Sequence, residues 1–84
     1  MPSAQVTFTN EVGLHARPAA LFTRAATGFT ADVSVSKDDQ TANAKSLLSV
    51  LKLDVRHGDT VTLVTDGPDA DEALRALVEL VGQL

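Results

Sequence analysis

The end of the chain constrains the fold most, because it has the pattern of a helix with one apolar face that another element must cover. After a turn at residues 66–68, apolar side chains recur at helical spacing, at Leu74, Leu77, Val78, Val81 and Leu84. Charged side chains occupy the opposite face, at Asp71, Arg75 and Glu79. Asp69 and Glu72 have the spacing of a capping box, which predicts that the helix begins just after Asp69.

The rest of the chain has the patterns of four strands and two further helices. Alternating apolar and polar residues predict strands over residues 5–9, 31–37, 40–44 and 60–65. A helix is predicted over 16–27, with Gly28 as its C′ signal, and a short helix over 47–53, with Ser46 as its N-cap. The predicted order is therefore β-α-β-β-α-β-α.

Helices and strands that are each apolar on one side predict an α+β fold of two layers. We expect an antiparallel four-stranded sheet covered on one face by three helices, an open-faced sandwich whose other face meets water. No linker, repeat or low-complexity segment interrupts the chain, so we expect one domain over residues 1–84.

Composition excludes several classes of protein. A formal net charge of −4, without aromatic residues interleaved among the few Lys and Arg, argues against nucleic-acid binding. The chain has no Cys and two widely separated His, so we expect neither a metal site nor a cofactor. No apolar run is long enough to span a membrane, and no signal-peptide pattern is present. We therefore expect a cytoplasmic protein without membrane insertion.

The segment GLHARPAA, at residues 13–20, is the candidate for chemistry. His15 is predicted where the loop ends and the helix begins, beside the unpaired N–H groups of the first turn. These donors favour an anion and disfavour an imidazolium, so we expect a neutral, nucleophilic ring. Arg17 could present a planar fork of donors to the oxygens of a phosphoryl group on His15. The alternative is that both are ordinary exposed polar residues at a helix start.

GLHARPAA and the later segment AKSLLSVLKL, at 44–53, together resemble the HPr family, the histidine-containing phosphocarriers of the bacterial phosphoenolpyruvate-dependent sugar phosphotransferase system. The resemblance spans nearly the whole chain and implies the strand order 1-4-2-3. It implies that His15 accepts a phosphoryl group at Nδ1 from phosphorylated enzyme I and passes it to the IIA domain of a sugar permease. Arg17 would then steady the phosphoryl oxygens.

The second motif has structural, regulatory and docking interpretations. Ser46 is expected to cap the short helix, and in many HPr proteins the matching serine is phosphorylated by an HPr kinase/phosphorylase. The short helix has more apolar surface than one buried stripe uses, so part of it is expected to face a partner. The resemblance implies that Leu47, Leu48 and Leu51 dock partners beside His15. Basic side chains could steer acidic partners to the site, at Arg17, Arg24, Lys45 and Lys52.

Two alternatives to a sugar phosphocarrier remain open: a paralogue in a nitrogen-related phosphorelay, and a non-catalytic regulatory module that docks through the short helix. The chain also departs from the family pattern. Asp54 stands where relatives commonly have glycine, and Val12 where some have a polar residue, so loop geometry near His15 is expected to differ. His57 is interpreted as an ordinary loop residue, and the protein is expected to be a monomer.

Overall fold

The computed structural model of the protein describes residues 1–84 and contains seven regular elements. The strands are β1 (Ser3–Thr7), β2 (Asp32–Lys37), β3 (Gln40–Asn43) and β4 (Thr60–Asp66), and the helices are α1 (Ala16–Thr27), α2 (Leu47–Lys52) and α3 (Ala70–Gln83). The strands form one antiparallel sheet in the order β1-β4-β2-β3. The predicted fold class, element order and strand order are confirmed.

The two faces of the sheet differ as the alternation of its residues requires. Apolar side chains on one face join those of the helices in the main core cluster, which includes Val6, Val33, Val35, Leu63, Phe22 and Leu77. The other face is rich in hydroxyl groups that pair across strands. Thr7 and Thr60 are joined by a hydrogen bond of 2.7 Å, and Ser36 and Thr41 by one of 2.9 Å. The helices therefore all lie on the apolar face, opposite a polar one.

The first strand is displaced from its predicted bounds of 5–9. It pairs with β4 from Ser3 and leaves the ladder after Thr7, which lies opposite Thr60. Phe8 is fully buried but bonds to the loop before β4, donating its N–H to the carbonyl of Asp59 at 2.9 Å. Its own carbonyl accepts the N–H of Gly58. The loop before β4 is thus held against the chain that leads to His15.

The predicted capping box of α3 is wrong. Asp69 is the residue before the helix, but its side chain makes no capping hydrogen bond. Its carboxylate accepts the backbone N–H groups of Thr30 at 2.9 Å and Ala31 at 2.7 Å. These hydrogen bonds, that from Thr30 foremost, lower the pKa of Asp69. Asp69 therefore joins the start of α3 to the segment that enters β2.

Two other details of the helices differ from the sequence prediction. Gly28 does follow α1, but with φ of −74° it uses none of the left-handed freedom of glycine. Val78, predicted on the buried face of α3, is 37% exposed. Ala70 and Ala73 are buried in addition to Leu77, so the buried face of α3 is rotated toward its small residues.

Candidate functional site

His15 lies at the entry to α1, with extended backbone angles of −128° and 159°. Its side chain makes no capping hydrogen bond, so the imidazole is not used to hold the helix. Ala16 follows with φ of 53°, a left-handed conformation that costs an L-residue about 1–2 kcal/mol. The chain therefore turns sharply at Ala16, the first residue of α1. The first-turn N–H groups of α1 lack intrahelical partners there, and Pro18 has none to offer.

The His15 ring is held from one side by Asp54, a residue 39 positions later in the chain. His15 Nε2 lies 2.9 Å from Oδ1 of Asp54. The two side chains are 37% and 46% exposed, so the contact stands at the rim of the fold and not in its core. The hydrogen bonds of the structure leave Nδ1 of His15 without a protein partner. This nitrogen is open to a reactant.

The carboxylate of Asp54 is divided between two partners. Its Oδ2 accepts a hydrogen bond from Nε of Arg56 at 3.0 Å and forms an ion pair with Nη2 at 2.7 Å, which leaves Oδ1 for His15. The hydrogen bond from Arg56 is the main cause that lowers the pKa of Asp54, and the hydrogen bond to His15 acts in the same direction. Asp54 is therefore ionised at neutral pH and can only accept hydrogen bonds.

Lys37 and Asp59 fix the loop that carries Asp54. Lys37, at the end of β2, donates its Nζ to the backbone carbonyl of Asp54 at 2.6 Å and pairs with Oδ2 of Asp59 at 3.0 Å. The same oxygen of Asp59 accepts the N–H of Arg56 at 2.8 Å. Asp54 itself has φ of 54°, which aspartate tolerates better than most residues. The position of Asp54 is thus determined by contacts on both sides of the loop.

The second histidine has a structural contact in the same loop. Nδ1 of His57 donates to the backbone carbonyl of Asn10 at 3.1 Å, and the Asn10 amide donates to the carbonyl of Gly13 at 2.9 Å. His57 thus contributes to the packing of loops behind His15. Its interpretation as a loop residue agrees with this contact.

Arg17 and Arg24 lie on one exposed face of α1. Both side chains are exposed, and neither forms an ion pair with a carboxylate. Leu21, four residues after Arg17 and three before Arg24, shares this face and is 38% exposed. The sequence analysis did not identify Leu21 as a surface residue. Its apolar type inside an alanine-rich helix gave no signal to separate it from the core.

Short helix α2 begins as its sequence predicts. The hydroxyl of Ser46 accepts the N–H of Ser49 at 3.3 Å, so the predicted N-cap is confirmed. Leu47 and Leu48 are 42% and 65% exposed, whereas Leu51 is half-buried against the core. Two of the three predicted docking leucines therefore present apolar surface, while Leu51 packs against the core.

The two lysines predicted to flank the docking surface have separate surroundings. Lys45 is half-buried and donates its Nζ to the carbonyl of Phe29 at 2.8 Å, after the end of α1. Lys52 is exposed and lines a shallow cavity beside β3 with Gln40 and Thr41. Arg17 and Arg24 are therefore the free cations on the α1 side of the surface.

Sequence analysis missed the residues that hold His15 from the far loop. Asp54, Arg56, Lys37 and Asp59 form one set of contacts around it. The available signal was that Asp54 stands where the resemblance leads us to expect glycine, which predicted a changed loop but not its contact with the ring. The protein contains no group of three or more His, Asp or Glu side chains placed to hold a metal ion. None of its helices has the length and apolarity that crossing a membrane requires.

The fold and the site define a small α+β domain that presents one histidine at the start of a helix, with one ring nitrogen free and an unpaired arginine two residues away. This geometry suits a protein that carries a phosphoryl group. The protein-family model described as the PTS HPr component phosphorylation site matches residues 2–83 of the chain.

Known proteins agree with this class. The phosphocarrier protein HPr of Vibrio cholerae is 44% identical over 100% of this chain and 99% of its own. The HPr-like protein Crh of Halalkalibacterium halodurans is 41% identical over 96% of each chain. A crystal structure of HPr from Thermoanaerobacter tengcongensis superposes with a TM-score of 0.97 at 41% identity, covering 99% of this chain and 93% of that one. A structure described as the HPr dimer of the same organism has a TM-score of 0.80, with coverage of 99% and 95%.

The chain belongs to the HPr family of phosphocarrier proteins of the phosphotransferase system. Members of this family carry a phosphoryl group as phosphohistidine and are not catalytic enzymes. The resemblance that the sequence carries at residues 13–20 and 44–53 is confirmed.

Proposed function

We propose that His15 accepts a phosphoryl group on Nδ1 from phosphorylated enzyme I, which draws it from phosphoenolpyruvate, and passes it to IIA domains of sugar permeases. The observation that carries this proposal is the half-exposed ring of His15, whose Nε2 is bound by Asp54 while Nδ1 has no partner in the protein. A nitrogen with a free lone pair, facing solvent, can form a P–N bond and release the group to a second acceptor.

The charges around His15 support transfer of a phosphoryl group. Arg17 has no carboxylate partner, so its guanidinium is free to bind two phosphoryl oxygens at once. The carboxylate of Asp54 is paired with Arg56, which reduces its repulsion of an incoming anion. His15 would form the bond to phosphorus, and Arg17 would orient the group and balance its charge.

Partners would dock on exposed residues of α1 and α2. Leu47 and Leu48 on α2 and Leu21 on α1 supply exposed apolar area on two helices that are in contact, and Leu51 packs against the core. The exposed Arg17 and Arg24 of α1 would suit acidic partner surfaces, and Lys45 and Lys52, before and at the end of α2, would add positive charge. We propose that enzyme I and IIA domains share this surface, since both must reach the same ring of His15.

Ser46 is proposed as a regulatory phosphorylation site for an HPr kinase/phosphorylase. Its hydroxyl caps α2 and precedes the exposed Leu47 and Leu48. A phosphate at a helix start is electrostatically tolerated, so α2 would persist while the docking surface gained about two negative charges. Regulation would then act by repelling acidic partners and not by unfolding the helix.

A second candidate function is a regulatory module that docks without carrying phosphoryl groups. The 42% identity with Crh of Bacillus subtilis, described as a catabolite repression HPr, favours a regulatory role. The free Nδ1 of His15 and the unpaired Arg17 favour the carrier. A nitrogen-related relay would keep the carrier chemistry with other partners. We further propose that residues 1–84 act as a single cytoplasmic domain. A monomer is our expectation, although an HPr of Thermoanaerobacter tengcongensis has been solved as a dimer.

Intact-mass measurement tests the carrier proposal. The protein is incubated with phosphoenolpyruvate, Mg²⁺ and a cognate enzyme I, before and after brief acid treatment. We expect one added phosphoryl group that acid removes and that His15→Ala abolishes. His57→Ala serves as the matched control, because it removes the other histidine and should still gain the group. An acid-stable adduct, or an adduct that survives His15→Ala, would assign the phosphoryl group to another residue.

The two candidate functions separate in a second measurement. A IIA domain of a sugar permease is added to the phosphorylated protein, and transfer is followed by mass. Transfer by the unchanged protein, lost in His15→Ala while enzyme I binding persists, supports the carrier. Binding to partners without any phosphoryl gain would instead favour the docking module.

A further inference from the structure

We propose that Asp54 is a positioning residue that keeps the ring proton of His15 on Nε2, so that the lone pair stays on Nδ1 and phosphoryl attachment is directed there. This inference deepens the proposed carrier function and rests on it for its kinetic consequence. Its structural content, the tautomer of His15, can be measured without any phosphoryl donor.

The proton in the contact between His15 and Asp54 belongs to the ring. His15 Nε2 and Asp54 Oδ1 are 2.9 Å apart, and an ionised carboxylate has no proton to give. The hydrogen of this contact must therefore come from Nε2. A neutral imidazole with its proton on Nε2 has its lone pair on Nδ1, the nitrogen that has no protein partner.

Arg56 is the reason that Asp54 can act in this way. Its Nε donates a hydrogen bond to Oδ2 and its Nη2 forms an ion pair with the same oxygen, which keeps the carboxylate ionised and leaves Oδ1 facing the ring. Lys37 fixes the backbone of Asp54 through the carbonyl oxygen at 2.6 Å. Lys37 at the end of β2 and Arg56 in the loop before β4 therefore determine the orientation of the His15 ring through Asp54.

The direction of the hydrogen bond matters more here than the strength of an ion pair. His15 and Asp54 are 37% and 46% exposed, so water screens the attraction between charges. A hydrogen bond still selects one tautomer, because the other tautomer would point a lone pair at a carboxylate. Serine proteases use a buried aspartate on histidine for the same two tasks, tautomer choice and stabilisation of the cation that forms.

Phosphoryl attachment to Nδ1 requires no proton transfer, because the ring hydrogen stays on Nε2. The lone pair of Nδ1 forms the bond to phosphorus while the bond from phosphorus to the donor protein breaks, and its electron pair returns to the donor. The ring becomes an N-phosphoryl imidazolium that retains the hydrogen on Nε2. Asp54 faces the positive charge that develops, so it stabilises the phosphorylated ring as well as orienting the neutral one.

Asp54→Asn gives a sharp test because Arg56 determines which way the amide turns. The guanidinium of Arg56 presents only N–H groups to this oxygen, so the amide oxygen should face Arg56 and the NH₂ group should face His15. Nε2 would then have to accept a hydrogen bond, and the ring proton would move to Nδ1. Asn also tolerates the left-handed backbone at this position, where φ is 54°.

The tautomer is read from ¹⁵N chemical shifts of the His15 ring at about pH 9, where an ordinary imidazole is neutral. We expect the Nε2–H form in the unchanged protein, a shift toward Nδ1–H in Asp54→Asn and a mixture in Asp54→Gly. Asp38→Asn is the matched control, because Asp38 has nearly the same φ of 56° and forms no hydrogen bond or ion pair with His15. Identical ring shifts in the unchanged protein, Asp54→Asn and Asp54→Gly would overturn the proposal.

The second measurement is the rate of phosphoryl transfer from phosphorylated enzyme I, followed by rapid quench. The rate of transfer within the complex should fall about tenfold in Asp54→Asn and less in Asp54→Gly, with the KM for this protein unchanged. A rise in KM alone would make Asp54 a docking residue and overturn the positioning role. If the unchanged protein took no phosphoryl group at all, the carrier function would fail, while the ¹⁵N shifts would still decide the tautomer.

Discussion

The N–H of Leu14 donates to the backbone carbonyl of Val55 at 2.9 Å, which joins the residue before His15 to the residue after Asp54. Leu14 and Val55 are both fully buried, so this bond is shielded from water. It sets the distance between two loops that are far apart in sequence. The contact of His15 with Asp54 depends on this hydrogen bond between the loops.

Gly13→Ala should separate the two loops and destabilise the protein. Gly13 has φ of 63°, and a Cβ there would lie 2.2 Å from the carbonyl oxygen of Val55. Backbone strain and overlap together should lower the free energy of unfolding by about 3 kcal/mol, measured by urea unfolding.

Gly82→Ala is the control for this change. Gly82 lies in α3, and a Cβ there would meet nothing within 4 Å. The same substitution should raise the free energy of unfolding by about 0.5–1 kcal/mol, because alanine is the better helix former. Equal losses in both variants would show that Gly13 has no special conformational role.

Sequence predicted the parts of the site that depend on local pattern. The spacing of apolar residues and the residue types at the helix starts are sufficient to predict α1, α2 and the cap at Ser46. The contact of His15 with Asp54 spans 39 residues and depends on a left-handed residue in a loop, for which no local pattern exists. At Asp69 a local pattern exists but predicts the wrong contact. Its spacing matches a capping box, whereas its carboxylate oxygens accept the N–H groups of Thr30 and Ala31.

Asp69→Asn should destabilise the protein at neutral pH and much less in acid. The carboxylate has an unfolded pKa near 3.8, and the N–H groups of Thr30 and Ala31 lower its pKa in the folded state. Its contribution is therefore fully present above 3.8 and is lost as the pH falls through the lower folded value.

The measurement for Asp69 is urea unfolding at about pH 7 and about pH 2. Asp71→Asn is the matched control, because Asp71 lies in the same first turn of α3 and has no hydrogen bond to Thr30 or Ala31. A difference between Asp69→Asn and the unchanged protein that stayed constant with pH would contradict the assigned role of the carboxylate.

Ser46→Ala should lower the free energy of unfolding by about 1 kcal/mol, because the N–H of Ser49 loses its acceptor. Ser46→Asn should retain most of the stability, since asparagine is also a good cap. Ser49→Ala also removes a serine hydroxyl, but it keeps the N–H of residue 49 and the capping oxygen of Ser46, so it should have little effect. Urea unfolding of the three variants tests this, and equal losses from Ser46→Ala and Ser49→Ala would argue against the cap.

Leu48→Ser should weaken docking without weakening the fold. Leu48 is 65% exposed at the start of α2, so its removal should change the free energy of unfolding by no more than about 0.5 kcal/mol. If it is an anchor of the partner surface, the KM for phosphoryl uptake from enzyme I should rise about tenfold. Val78→Ser is the control, because Val78 is another exposed apolar residue, at 37%, but lies on α3. A similar rise in KM for both variants would mean that general surface apolarity, and not α2, determines docking.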